Sequence, residues 1–296
     1  MELLLSSIQA VGMVLVAPLV SGVIKTTKAK LQNRQGPSLF QVYFDFIKLL
    51  SKDSVLSPTA SWIFNAAPYI YFMSNVAVAA LVPVISFGNP GSGDAFLLIY
   101  LWALGRFFLV LGSLDAGSAF GGMGGAREMF IAILVEPAML LSLLTVAFKA
   151  KTTSLGLMVL AVADSPFSLA YVFAAIAFFM VLIAETGRIP VDNPDTHLEL
   201  TMIHEGMILE YSGRRLALIF FASATKQLSM IFLFVVFFLP GNPLESYYFG
   251  WMLVKVFFIA ILIAFTEIST NKMRLFKVPN FLAISCLLSL LALVAY

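Results

Sequence analysis

The chain has 296 residues, is 60% hydrophobic and only 11% charged, and has a mean hydropathy of +0.97. A soluble domain of this size cannot hide so much apolar surface, so the composition specifies an integral membrane protein. The net charge of +2 gives no footprint for a nucleic-acid partner, and the single cysteine, Cys286, excludes an intrachain disulfide or a cysteine-ligated cluster on this chain.

A spanning helix needs about 20 apolar residues. Eight stretches qualify, about 3–24, 66–87, 95–114, 127–149, 166–186, 214–239, 248–270 and 278–295. The run 155–163 is too brief to cross. The N-terminal run is too long for a signal peptide's core and opens with Glu2 in place of a basic segment, so it reads as a retained first helix. No linker or internal repeat divides the chain, and 1–296 reads as one all-α polytopic membrane domain. The glycine-rich Gly121–Gly125 follows no predicted strand, which argues against a phosphate loop.

The basic residues set the expected orientation. Lys25, Lys28, Lys30, Arg34, Lys48, Lys52, Arg127, Arg188, Arg214, Arg215, Lys272, Arg274 and Lys277 fall in loops on one side, against Lys149 and Lys151 on the other. Both termini are therefore expected outside and the loop 187–213 in the cytoplasm. Within the first cytoplasmic loop, residues 38–52 carry apolar residues at 39, 40, 42, 43, 46, 47, 49 and 50, with Asp45, Lys48 and Lys52 on the other face. This spacing predicts an amphipathic helix lying at the membrane surface.

Ionisable groups within spans are costly and each is a functional candidate. Glu136, next to Pro137, lies in the fourth span, Arg106 in the third, Lys226 in the sixth and Lys255 in the seventh. Glu185 and Glu267 lie near the cytoplasmic ends of the fifth and seventh. Together they have the composition of a hydrated proton path, although structural ion pairs would use the same residues. The stretch Val181–Arg215 adds Asp192, Asp195, Glu199, Glu205 and Glu210; with Glu185 it holds six of the sixteen carboxylates. On a helical wheel over 195–211, Glu199 and Glu210 nearly eclipse and Asp195 lies about 40° away, while His197 and His204 share another face. The two histidines would be about 10.5 Å apart along a helix, too far to share a zinc, so a proton-relaying or hydrogen-bonded His204 is the better reading.

These residues resemble the NADH dehydrogenase subunit 1 family of respiratory complex I over essentially the whole chain. Gln32-Asn33-Arg34-Gln35-Gly36-Pro37 fits the family's Q-x-R-x-G-P, Asp45 and Lys48 its D-x-x-K-L, and Ala67-Pro68 its A-P. Glu136 fits its fourth-span acid, Glu185, Arg188 and Pro190 its A-E-x-x-R-x-P, and Glu210-Tyr211-Ser212-Gly213 its E-Y-S-G. Quinone-reducing members usually read P-F-D-L-x-E-A-E-x-E-L in the central loop, where this chain has Pro190-Val191-Asp192-Asn193-Pro194-Asp195-Thr196-His197-Leu198-Glu199-Leu200. That wording resembles the branch in group 4 [NiFe] hydrogenases and formate hydrogenlyase complexes, as do Gly121–Glu128 and Met273–Pro279.

The resemblance implies a membrane anchor and proton-coupling subunit in a prokaryotic cytoplasmic membrane, with no redox centre on this chain. Iron–sulfur clusters and a nickel–iron centre would sit on the hydrogenase large and small subunits, beside antiporter-like membrane subunits. It implies a relay of Glu185, Asp192, Asp195, Glu199, His204, Glu205 and Glu210, charge transfer through Glu136, Lys226, Lys255 and Glu267, and docking by Arg34, Asp45, Lys48, Arg188 and Arg274. The alternatives are a complex I subunit with quinone bound beside helix 38–52, a stand-alone transporter, and a passive anchor whose charges serve only as ion pairs.

Overall fold

The computed structural model describes residues 2–57, 59–84, 93–163, 168–194, 202–239, 241 and 247–295. Within them the regular structure is helical: α1 (Glu2–Leu31), α2 (Gln41–Leu50), α3 (Trp62–Leu81), α4 (Ala95–Asp115), α5 (Ala119–Ala150), α6 (Leu155–Ala163), α7 (Leu169–Glu185), α8 (His204–Ile208), α9 (Gly213–Phe238), α10 (Tyr248–Ser269) and α11 (Val278–Val294). Among the described residues, seven helices (α1, α3, α4, α5, α9, α10, and α11 with the 3₁₀ turn leading into it) are long and apolar enough to cross a bilayer. The eighth expected span is α7, whose 17 residues extend about 26 Å at 1.5 Å per residue. The chain is an all-α polytopic membrane protein.

α9 is the central pillar. It is the most completely buried of the long helices, and α1, α2, α3, α7 and α10 pack on it. α10 and α11 lie at the periphery, with most of their apolar surface turned outward. Helix starts follow ordinary capping chemistry. Ser118 caps α5 and Ser168 caps α7. Asp115, at the end of α4, accepts the backbone N–H groups of Ser61 (2.7 Å) and Phe64 (3.1 Å), which ties α4 to the start of α3.

Of the boundaries that differ from the sequence-based expectation, among them α3 at Trp62–Leu81 in place of 66–87, two bear on the site. α1 continues seven residues past 24, so Lys25, Lys28 and Lys30 stand on a helix rather than in a loop; lysine is a good helix former. α5 starts at Ala119 and runs through the glycine-rich stretch. A Cβ on Gly121 would stand 2.5 Å from the Ser113 carbonyl oxygen, and one on Gly124 2.9 Å from the Ile203 oxygen. The glycines therefore serve close packing against α4 and α8, and their low helix propensity is overridden by contact.

The helical wheel drawn over 195–211 does not extend to Glu210. Asp195, His197 and Glu199 lie outside the described residues. Met202 is non-helical, Ile203 sits at φ −114°, ψ −80° before the five-residue α8, and Glu210 lies beyond that helix. No one helical face can carry Glu210 with residues 195–201. Met202 and Ile203 are each 3% exposed, so the chain dips into the bundle at the point where a surface helix would have continued.

α2 forms close to the expected surface helix and is held on the bundle by a glycine. A Cβ on Gly22 of α1 would stand 2.2 Å from the Leu39 carbonyl oxygen, whereas one on Gly12 would meet nothing within 4 Å. Tyr43 of α2 donates to the Leu15 carbonyl (2.5 Å), and Phe46 packs on Phe221 of α9 with ring centroids 4.0 Å apart. Gly22→Ala should destabilise the detergent-solubilised chain by about 1–3 kcal/mol through overpacking and speed amide exchange over residues 39–50. Gly12→Ala should leave both unchanged in thermal unfolding and hydrogen exchange.

Candidate functional site

The in-span charges mostly converge. Arg106 of α4, 3% exposed, meets three carboxylates: Glu185 at the end of α7, in direct contact, Glu136 of α5 at 3.0 Å, and Glu128 of α5 at 3.5 Å. Lys226 of α9 lies 2.7 Å from the same Glu185 oxygen. Helices α4, α5, α7 and α9 thus share one ionic cluster with three carboxylates and two cations. An isolated charge would be prohibitively expensive at this depth, and pairing is what makes its burial tolerable.

A second group adjoins it. Glu267 of α10 is bridged by Arg188 (3.1 Å) and by Lys28 of α1 (3.0 Å). Arg188 also donates to the Gln227 side-chain oxygen at 2.9 Å, which accepts from Ser21 at 3.0 Å. Gln227 follows Lys226 on α9, so the two groups are covalent neighbours. Arg188, expected at a docking surface, instead points its guanidinium inward. The tight turn 186–191, with Gly187 at φ +59°, folds the chain back from the end of α7.

The third group is Asp192. It pairs with Lys272 at 2.7 Å and accepts the backbone N–H of His204 at 3.2 Å. The His204 Nε2 lies 3.3 Å from the Ser223 hydroxyl, which lies 3.4 Å from the Tyr71 hydroxyl. The loop between α10 and α11 is held to the same segment, since Met273 N–H donates to the Pro190 carbonyl at 2.8 Å.

A cavity of about 640 Å³ joins the three groups. Its lining includes Arg106, Glu128, Glu185 and Lys226, then Arg188, Gln227, Asp192, His204 and Glu205, and on another wall Lys25, Asp45, Phe46, Lys48 and Lys52. Asp45 and Lys48, expected to dock partners, thus stand on the cavity wall. Arg34, Arg274 and Glu210 are exposed. Lys255 is not brought to the cluster. It donates to the Leu239 carbonyl (2.7 Å) past the end of α9, thirteen residues or about 20 Å along that helix from Lys226.

The sequence reading missed Glu128, Lys28, Gln227, Ser223, Tyr71 and Lys272 as site residues. Glu128 and Lys28 carried charge but did not stand out as buried in a span, and the neutral groups carried no charge signal. Among the described residues no three His, Cys, Asp or Glu side chains converge on a metal-sized site.

The E-Y-S-G stretch is a clasp. Tyr211 stacks on Phe64 at 4.0 Å between ring centroids and donates to the Phe64 carbonyl at 3.2 Å. That carbonyl lost its helical partner because Pro68, four residues on, has no N–H. Burial, and then the charge of Asp115, push the Tyr211 phenol up from its ordinary range, so it stays a neutral donor. Ser212 accepts from Val55 N–H (2.8 Å) and donates to its carbonyl (3.1 Å). Gly213, at φ +54°, has the Lys52 and Asp53 carbonyls where a Cβ would be.

Fold and site together define a multi-pass membrane subunit with an ion-paired interior, and comparison with known proteins says which family it falls in. The family described as NADH dehydrogenase matches residues 4–296, and the chain belongs to it; this is the subunit 1 type of respiratory complex I. Formate hydrogenlyase subunit 4 of Escherichia coli K12 is 34% identical over 291 residues, 95% of this chain and 94% of the relative. Hydrogenase-4 component C of the same organism is 37% identical over 237 residues, 78% and 74%. An NADH-quinone oxidoreductase subunit of Syntrophotalea carbinolica is 29% identical over 270 residues, 83% and 79%. A chain in the structure of the membrane-bound sulfane sulfur reductase, an archaeal respiratory membrane complex, superposes with a TM-score of 0.85 over 100% of this chain and 99% of that chain at 19% identity; this likeness concerns the fold.

Removing Arg106 would leave three carboxylates facing one another around Lys226 alone. Arg106→Gln should cost about 3–5 kcal/mol, the usual penalty for breaking a buried pair, read as lost thermal stability in detergent. Arg106→Lys should recover part of it.

Proposed function

We propose that this chain is the membrane anchor and proton-coupling subunit of a multi-subunit energy-converting [NiFe] hydrogenase of the formate hydrogenlyase type, in a prokaryotic cytoplasmic membrane. The observation that carries the coupling role is the cavity joining three ionic groups across α4, α5, α7 and α9. The similarity to formate hydrogenlyase subunit 4 and hydrogenase-4 component C supports the kind of complex. The nickel–iron centre and iron–sulfur clusters belong to the large and small peripheral subunits and supply the electron chemistry there. Arg34 and Arg274, exposed on the basic side, are the docking candidates.

In this reading Asp192, His204 and Glu205 take protons at the cavity, beneath the hydrogenase module, and Asp195, Glu199 and Glu210 extend that relay in the same acidic loop. Glu185 and Lys226 share a hydrogen bond, so they can pass a proton between them. The Arg106 cluster has one carboxylate more than it has cations, so a proton or another cation completes its balance. Glu136 leads outward: its side chain is 38% exposed on a face with the exposed Ile133. Lipid is a poor neighbour for a carboxylate, which favours an antiporter-like membrane subunit covering that face.

A second reading, a quinone-site subunit of a complex I-type dehydrogenase, draws on the same cavity and on the similarity to the NADH-quinone oxidoreductase subunit of Syntrophotalea carbinolica. The intact complex, isolated through a tag on this chain, separates the two. Nickel together with hydrogen evolution from reduced viologen is the expected result. Inhibitor-sensitive quinone reduction without nickel would overturn it. In proteoliposomes Glu185→Gln should then reduce proton translocation at least about tenfold, a positioned proton carrier being worth about 10²–10⁴, while viologen-dependent hydrogen evolution persists. Equal loss of both, or of neither, would mean that the charges serve packing alone.

A further inference from the structure

His204, Ser223 and Tyr71 form a row of polar groups that the Arg106 cluster does not use. His204 opens α8, Ser223 is on α9 and Tyr71 is on α3. The His204 Nε2 lies 3.3 Å from the Ser223 Oγ, and that oxygen lies 3.4 Å from the Tyr71 Oη. All three side chains line the cavity. The histidine end is fixed through its backbone, whose N–H donates to Asp192 at 3.2 Å. The tyrosine end is buried, Tyr71 being 4% exposed. Its ring lies 3.2 Å from where a Cβ on Gly105 would stand, which sets Tyr71 beside the backbone of Arg106. Among the described residues the two hydroxyls make no other hydrogen bond.

A hydroxyl both donates and accepts, whereas each ring nitrogen of a protonated histidine can only donate. Neutral His204 with its proton on Nδ1 accepts at Nε2, and the row then runs from tyrosine through serine to histidine. Charged His204 must donate at Nε2, and the row runs the other way. Each proton gained by His204 therefore turns both hydroxyls, and the polarity of the whole row follows its charge.

We propose that Ser223 and Tyr71 are relay residues that carry a proton from His204 into the cavity beside Arg106. The inference rests on the proton-coupling reading and names a path within it. The imidazolium Nε2–H bond breaks as an O–H bond forms on Ser223. The original Ser223 O–H bond breaks as one forms on Tyr71, and the original Tyr71 proton leaves to cavity water. Glu128 and Glu185, on the lining of the same cavity, are its acceptors. One proton enters the row and one leaves it, His204 is left neutral, and the hydroxyls turn back before the next transfer. The rival role, a tie between α8, α9 and α3, predicts lost stability in place of lost transfer.

The test uses the intact complex in proteoliposomes, with proton translocation and reduced-viologen-dependent hydrogen evolution measured on each variant. Ser223→Ala and Tyr71→Phe should each lower translocation at least about tenfold, a positioned proton carrier being worth about 10²–10⁴, while hydrogen evolution persists. Both residues serve one row, so the double variant should fall no further than the worse single one. Ser223→Thr keeps the hydroxyl and should keep most of the translocation. Thermal stability in detergent should shift little in any of them. Translocation at the wild-type rate in both single variants would overturn the proposal. So would losses that add in the double variant, or that follow a matching drop in thermal stability, because independent packing contacts behave in that way. Glu185→Gln separates this path from the reading it rests on. If Glu185→Gln loses translocation while Ser223→Ala and Tyr71→Phe keep it, the path is wrong and the coupling role stands. If all three keep it, both fall. Should Tyr71→Phe fail to assemble, Ser223→Ala against Ser223→Thr decides alone.

Discussion

Arg106 lies where water cannot reach it freely, and a guanidinium that never loses its charge must find anions in the protein. It finds them on two other helices, Glu128 and Glu136 on α5 and Glu185 on α7, while Lys226 of α9 closes the set. The requirement to neutralise one cation therefore fixes the azimuth of four helices at once. Apolar packing alone would not, because in lipid the apolar faces of these helices have almost no preference for one another over acyl chains. The aliphatic and aromatic core around α9 makes the bundle dense. The ion cluster makes it specific.

The same network ties three polar groups to one helix. α9 carries Ser223, Lys226 and Gln227 within five residues, and each belongs to a different polar group: the His204 contact, the Glu185 cluster and the Arg188–Glu267 pair. A rigid helix thus holds three polar contacts at fixed spacing along one cavity. The segment after α7 supplies the remaining partners by folding back through the turn at Gly187, so Arg188 and Asp192 reach inward rather than out to solvent. A residue that reads as surface in the sequence becomes interior because the chain turns back over residues 186–191.

Glycines and a proline make the approaches possible. Gly22 admits the Leu39 carbonyl, Gly124 admits α8, and Gly213 admits the loop after α2. Pro68 releases the Phe64 carbonyl to Tyr211. The E-Y-S-G stretch therefore holds the post-α2 loop at the base of α9, and its influence on the cavity is exerted through the position of α2 and its lysines.

Membrane class, seven of the eight spans as long apolar helices, the surface helix and the candidacy of Arg106, Glu136, Glu185 and Lys226 as charges within spans were legible in the sequence. Hydropathy and the cost of charge in lipid depend on composition and local order, which a chain carries by itself. Family resemblance was equally legible, since it rests on residue order. What the sequence left open was which charges meet. Arg188 turned inward, Lys255 went to a carbonyl about 20 Å along α9 from Lys226, and neutral Gln227, Ser223 and Tyr71 entered the network without any signal in their own chemistry. Pairing depends on the azimuth of each helix and on where loops reverse, and those are decided by contacts between segments up to 239 residues apart, as in Lys28 with Glu267. Only the tertiary structure brings such segments within three ångströms of one another.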